Sequence, residues 1–125
     1  MWCENLRNRF PSLLGALPYL ECSLGWEVLI EEMCLTITKY ETFWLDNPGY
    51  KPVTFVQIKQ KFGGLRAYYV GGYIDDSTFT VQVIANVIEE YQNKSYDICC
   101  LCGADNKHRG GHRHVCNECS SANNE

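Results

Sequence analysis

Residues 53–70 read VTFVQIKQKFGGLRAYYV, and this stretch decides the fold class. Its β-branched content predicts one strand from Val53 to Lys61 and a returning strand from Leu65 to Val70. The glycine pair Gly63-Gly64 separates the two runs and predicts a two-residue turn between them. The stretch is therefore expected to form an antiparallel hairpin.

Strict alternation along the first strand predicts which side chains share a face. One face is expected to carry Thr54, Val56 and Ile58, and the other Phe55, Gln57 and Lys59.

Helical patterns flank the predicted hairpin on both sides. Apolar residues recur at helical spacing over residues 2–10, 25–44 and 78–93, with charged residues on the opposite side of the middle segment. The chain therefore predicts an α+β fold in which helices pack on a small antiparallel sheet. A lone hairpin is only marginally stable, so we expect the C-terminal cysteine segment or residues 70–75 to extend the sheet.

The C-terminal segment contains two C-x2-C pairs, Cys99/Cys102 and Cys116/Cys119. Four thiolates at this separation predict a tetrahedral zinc site on a knuckle or ribbon hairpin. Such a site has no open coordination position, so we expect the zinc to be structural. Cys100 would then be a bystander, and His114 is an alternative fourth ligand in place of a cysteine.

The zinc motif divides the chain into two predicted domains. Residues 1–95 form the α+β domain, and residues 96–125 form the zinc-binding hairpin. The N-terminal segment lacks the apolar run of a secretory signal, and no stretch has the length of a membrane span. We therefore expect a protein of the reducing cytosol, with no membrane partner.

The charge pattern points to a candidate binding surface. The net charge is −4, yet residues 47–74 contain four cations and no acid. Cations interleaved with aromatic residues on a sheet are typical of surfaces that bind phosphates and stack bases. An ordinary amphipathic hairpin with solvated lysines is the alternative interpretation. The candidate binding residues are Lys59, Lys61, Gly63, Gly64, Arg66, Tyr68, Arg109 and Arg113.

Catalytic patterns are weak in this sequence. No paired nucleophile and base stands out, and no phosphate-binding loop or dinucleotide motif is present. A metal-dependent nuclease is one alternative, but the thirteen residues between the cysteine pairs are short for such a site. A nucleic-acid-binding zinc-ribbon regulator is another. We expect a binding protein without catalysis, with homo-oligomerisation left open.

Four features together resemble a set of small uncharacterised proteins encoded by bacteriophages and prophages. They are Phe10-Pro11, Gly25-Trp26, the KFGGLR stretch at residues 61–66 and the terminal cysteine pairs. The resemblance implies a phage accessory protein that acts in the bacterial cytosol by binding a host factor, including factors of defence systems. The expected target is anionic: a host protein patch, a nucleic acid strand or a signalling nucleotide.

Overall fold

The computed structural model describes residues 2–74 and 79–103, and it confirms the predicted α+β class. A short 3-10 helix spans Leu24–Trp26 and leads directly into the longest helix of the first half. The other elements are α1 (Trp2–Arg9), α2 (Pro11–Leu14), α3 (Glu27–Thr42), β1 (Tyr50–Lys51), β2 (Thr54–Lys61), β3 (Gly64–Val70), β4 (Tyr73–Ile74) and α4 (Phe79–Ser95).

The helices enclose a single apolar core. Ile30, Met33 and Ile37 on the buried face of α3 are each 0% exposed, as its apolar stripe predicts, and so is Trp26 at the end of the 3-10 helix. Helix α4 packs against both α3 and β3, while α2 packs against β2. None of the helices among the described residues combines the length and apolar character needed to cross a bilayer.

The strands form two separate antiparallel sheets, β2–β3 and β1–β4. The expectation that residues 70–75 extend the hairpin sheet is wrong, because Tyr73 pairs with Lys51 instead. Gly71 and Gly72 have φ values of +81° and +80°, and this turn redirects the chain after Val70. The proposed extension by the cysteine segment concerns residues that lie largely outside the described ranges.

A β-bulge at Val56 changes the predicted faces of β2. Phe55 pairs with Tyr69 and Gln57 pairs with Tyr68, so Val56 is an extra residue between consecutive pairs. Phe55 and Ile58 are consequently both 0% exposed, although their spacing is odd, and Val56 is exposed to solvent. The prediction from strict alternation is wrong for this strand.

The turn of the hairpin lies one residue earlier than predicted. Lys61 pairs with Gly64, so Phe62 and Gly63 are the two turn residues. Their φ values of 53° and 82° are those of a type I′ turn, whose twist matches the flanking strands. Gly64 already belongs to β3, and a Cβ there would lie 2.5 Å from Cζ of the Tyr96 ring.

Side chains of α4 satisfy the outer edge of β3. The Leu65 N–H donates to Oγ of Ser95 at 2.8 Å, and the Ala67 N–H donates to Oε1 of Gln92 at 2.9 Å. The outer edge of β2 is covered by Glu21, whose N–H donates to the Ile58 carbonyl at 2.8 Å. The rest of the chain therefore covers part of each edge of the two-stranded sheet.

We predict that Ser95→Ala destabilises the protein by about 1–3 kcal/mol, because it leaves the buried Leu65 N–H without an acceptor. Urea unfolding followed by circular dichroism measures this change. Asn93→Ala is the matched control, since Asn93 is an exposed residue of the same helix and its replacement should change stability by less than about 0.5 kcal/mol. Equal stabilities of the two variants would show that the edge bond contributes nothing.

Candidate functional site

The register of the hairpin brings the predicted cations onto one face. Lys59 lies directly opposite Arg66, and Lys61 lies opposite Gly64. Tyr68 comes two residues after Arg66 on β3 and therefore shares its face. Opposed residues of an antiparallel pair project from the same face, and so do alternate residues of one strand. We call Lys59, Lys61, Arg66 and Tyr68 the cationic face.

Like charges in directly opposed positions are unfavourable, by about 0.2–1 kcal/mol. In this hairpin each of the two opposed cations lies near an aromatic ring. The Lys59 ammonium is 5.7 Å from the centroid of the Tyr68 ring, and the Arg66 guanidinium is 5.7 Å from that of Tyr96. These contacts offset part of the repulsion, by about 0.5–1 kcal/mol each at exposed sites.

Tyr96 belongs to this site, although no pattern in the sequence predicts its contact with the hairpin. Arg66 donates from Nη2 to the Tyr96 hydroxyl at 2.7 Å and from Nη1 to the Leu65 carbonyl at 3.0 Å. These two bonds fix the guanidinium at the edge of β3, beside the C-terminal end of α4. Arg66 is therefore a positioned charge, and a ligand would meet it through the donors that remain.

The two lysines of the cationic face are less constrained. Within the described residues the ion pairs are Arg9 with Glu31 and Lys94 with Glu90, so neither Lys59 nor Lys61 is neutralised there. Both carry cation–π contacts, Lys61 with the ring of Phe62 at 5.5 Å. Their ammonium groups are thus available to an incoming anion.

One carboxylate borders the cationic face. Glu21 pairs with Lys59 in an isolated parallel β-bridge. Its Oε2 accepts a hydrogen bond from Nε2 of Gln57 at 3.0 Å. Gln57 projects from the same face as Lys59. Glu21 therefore lowers the local positive charge without forming an ion pair, and it marks one limit of the surface.

The glycines assigned to the site have structural roles. Gly63 and Gly64 are both buried, so their amides present little surface to a ligand. Phe62, in contrast, is 64% exposed at the tip of the hairpin. Its φ of 53° lies in the left-handed region, where a bulky residue is an outlier and backbone strain of about 1–3 kcal/mol is expected. An exposed aromatic residue in a strained turn is a candidate contact for a partner.

A cleft of about 440 Å³ adjoins the cationic face between β3 and α4. It begins at Arg66 and Tyr96 and runs along α4 past Gln92 to Glu89. Because Glu89 adds a carboxylate to the far end, the positive character is confined to the end next to Arg66.

The first cysteine pair lies on a tight turn. The Gly103 N–H donates to the Cys99 carbonyl at 2.8 Å, and Gly103 has a φ of +82°, which closes the loop around Cys99 and Cys102. Cys99 is fully buried, whereas Cys102 is exposed. This turn suits a metal knuckle, because it folds the chain between Cys99 and Cys102 so that both can approach one metal ion.

The cysteine turn is attached to the 3-10 helix that precedes α3. The Gly25 N–H donates to the Cys100 carbonyl at 2.7 Å, and the Trp26 indole N–H donates to the Ile98 carbonyl at 3.0 Å. The Cys100 side chain is buried in the core cluster, whereas Cys102 is exposed. Elsewhere, burial raises the pKa of Cys34 to about 12, so that thiol stays protonated at neutral pH.

The second half of the predicted zinc site lies outside the described residues. This applies to Cys116 and Cys119, to the alternative ligand His114 and to the predicted binding residues Arg109 and Arg113. Within residues 2–74 and 79–103, no three histidine, cysteine or acidic side chains form a group that could hold a metal ion. The zinc site therefore stays a prediction.

Comparison of the chain with protein-family models, with curated proteins and with solved structures finds no match.

We predict that Phe62→Asn raises the free energy of unfolding by about 0.5–1 kcal/mol, because Asn tolerates the left-handed conformation of a type I′ turn. Thermal unfolding by differential scanning calorimetry provides the measurement. Phe62→Ala serves as the control, since it removes the ring but gains little of the backbone relief. A loss of stability in both variants would mean that the ring stabilises the turn more than the strain opposes it.

Proposed function

We propose that the protein is a binding protein without catalysis, and that its cationic face holds a phosphate-containing ligand, a single nucleic acid strand or a nucleotide. The observation that carries this proposal is the direct opposition of Lys59 and Arg66 with no acid ion-paired to either in the described residues. Two like charges held side by side gain most from an anion that touches both.

The aromatic residues around these cations favour phosphate esters over simple inorganic anions. Tyr68 is 42% exposed and Phe62 is 64% exposed, so both rings present surface to solvent beside the lysines. Bases stack on such rings with about 1–3 kcal/mol each, while lysines contact the backbone phosphates. A strand crossing the hairpin would meet both kinds of contact.

The cationic face belongs to a chain whose net charge is −4. Long-range attraction to nucleic acid is therefore weak, and binding depends on the local arrangement of cations. This favours a short ligand that fits the hairpin over a duplex that would also meet the acidic helices.

A second candidate target is an acidic surface of a host protein. The exposed Phe62 beside Lys61 supports it, because aromatic residues are common anchors of protein interfaces. The resemblance to phage-encoded proteins suggests the same context, a bacterial cytosol in which a host defence factor is bound.

Zinc completes the proposal as a structural ion held by Cys99, Cys102, Cys116 and Cys119. The turn at Cys99–Cys102 supports this assignment, and the donor set of four thiolates is one that zinc prefers. The ion would fasten the C-terminal segment to the start of α3 through the Cys100 carbonyl and Gly25.

We predict that Lys59→Glu weakens binding of a fluorescein-labelled oligothymidylate by about tenfold or more while preserving the fold. The new carboxylate lies opposite Arg66, so the cross-strand pair becomes favourable as the anion site is lost. Fluorescence anisotropy over a range of salt concentrations gives the affinity and its salt slope, which should become shallower by about 0.7 for each phosphate contact removed.

Lys39→Glu is the matched control, because it changes the net charge equally from an exposed position on α3. Glu21→Gln is a second one, and it should tighten binding by removing the bordering carboxylate. If Lys39→Glu and Lys59→Glu weaken binding alike, the effect is one of bulk charge and the hairpin site is wrong. A labelled strand that is cleaved on incubation would instead favour the nuclease alternative.

We predict that the purified protein contains about one zinc ion per chain, and that Cys102→Ser lowers this content strongly. Cys100→Ser is the control, since this side chain is buried in the core cluster and lies outside the predicted C-x2-C pair, so its replacement should leave the metal content unchanged. Inductively coupled plasma mass spectrometry measures both. Loss of zinc from Cys100→Ser with retention in Cys102→Ser would reassign the ligands of the first pair.

A further inference from the structure

A separate apolar pocket of about 300 Å³ lies between the α1–α2 junction, the C-terminal half of α3 and Pro52. Its volume is at the lower end of the range for ligand pockets. The apolar part of the wall consists of Phe10, Pro11, Leu13, Leu45 and Pro52. The polar residues that line it are Arg9, Ser12, Thr38 and Glu41.

Glu41 is the unusual member of this wall, because it is only 6% exposed. Its Oε2 accepts hydrogen bonds from the Tyr50 hydroxyl at 2.5 Å and from the Val53 N–H at 2.8 Å. No hydrogen bond from the described part of the chain reaches Oε1. Burial, reinforced by the bond to Glu41, raises the pKa of Tyr50, which keeps the phenol in its donor form.

The negative charge of Glu41 has no cationic partner in the described residues. Arg9 is the cation that lines the pocket, but it pairs with Glu31 and its guanidinium lies 5.3 Å from the centroid of the Phe10 ring. A buried carboxylate without a counter-ion is unfavourable, since its desolvation is repaid only in part by hydrogen bonds. A cation that enters the pocket would supply the missing partner.

We propose that this pocket binds a primary ammonium group carried on a small apolar body. The ammonium donates to Oε1 of Glu41, and the apolar body fills the space lined by Phe10, Leu13 and Leu45. The ligand differs in charge from that of the cationic face, and this site shares no residue with it. The two proposals therefore stand or fall separately.

Benzylamine and benzyl alcohol test the proposal, because they share the aromatic body and differ in the charged head group. Titration of the isotopically labelled protein is followed by the amide chemical shifts of Leu13, Thr38 and Leu45. Benzylamine should shift these resonances with an affinity about tenfold or more above that of benzyl alcohol, as expected for a charge-assisted hydrogen bond. Equal affinity of the two probes, or no shift with either, would overturn the proposal.

Two variants assign the binding to this pocket. Glu41→Gln keeps an oxygen acceptor for Tyr50 and Val53 but removes the charge, so the preference for benzylamine should disappear. Thr38→Trp fills the pocket and leaves Glu41 in place, which keeps the test valid if Glu41→Gln does not fold. Thr42→Trp adds the same bulk at an exposed position that does not line the pocket. Binding that survives Thr38→Trp as well as Thr42→Trp would place the amine elsewhere and refute the assignment.

A capped lysine, Nα-acetyl-lysine methylamide, identifies the source of the ammonium. Tighter binding of capped lysine than of benzylamine assigns the pocket to a lysine side chain of a partner protein. Tighter binding of benzylamine assigns it to a free small molecule. Either result supports the ammonium site, and failure of both ligands contradicts it.

Discussion

Two side-chain hydrogen bonds from α4 to the outer edge of β3 hold the hairpin in place, and the rest of the structure depends on them. An isolated two-stranded sheet is marginal in water, and its unpaired N–H groups invite contact with other chains. Ser95 and Gln92 satisfy the N–H groups of Leu65 and Ala67, while Glu21 covers the opposite edge. The hairpin thus becomes part of the core although no further strand joins it among the described residues.

This anchoring explains how an unfavourable arrangement of charge persists on the outer face. Lys59 and Arg66 are opposed because the register is fixed by the buried residues Phe55, Ile58 and Leu65 on the other face. The core therefore determines where the cations lie, and Tyr96 then restrains the guanidinium of Arg66. A surface arranged in this way needs little reorganisation when an anion binds, which favours affinity.

Periodicity predicted helices α1, α3 and α4 and strands β2 and β3 well, because both patterns are local. It failed at Val56, since a bulge depends on how Phe55 and Ile58 reach the core and not on the strand sequence alone. The predicted turn was also one residue too late, because Phe62-Gly63 and Gly63-Gly64 are both possible two-residue turns. The first is formed, and Gly64 packs closely against Tyr96 as part of β3.

The candidate site was predictable to the same degree. Beyond the bulge, side chains alternate regularly between the two faces of the hairpin. This alternation is enough to predict that Lys59, Lys61, Arg66 and Tyr68 share one face. The involvement of Tyr96 and Glu21 does not follow from alternation, because each reaches the hairpin through tertiary packing from a position thirty or more residues away in the chain. The buried carboxylate of Glu41 and its pocket could not be predicted for the same reason, since three separate segments of the chain form the pocket.

We propose that the outer face of the hairpin contacts a phosphate-containing strand. Nuclear magnetic resonance titration of the labelled protein with an oligothymidylate tests it most directly. We expect chemical-shift changes confined to β2, β3 and their turn, together with Tyr96 and the adjoining end of α4. Changes centred on the exposed side of α3, or none at all at low salt, would contradict it.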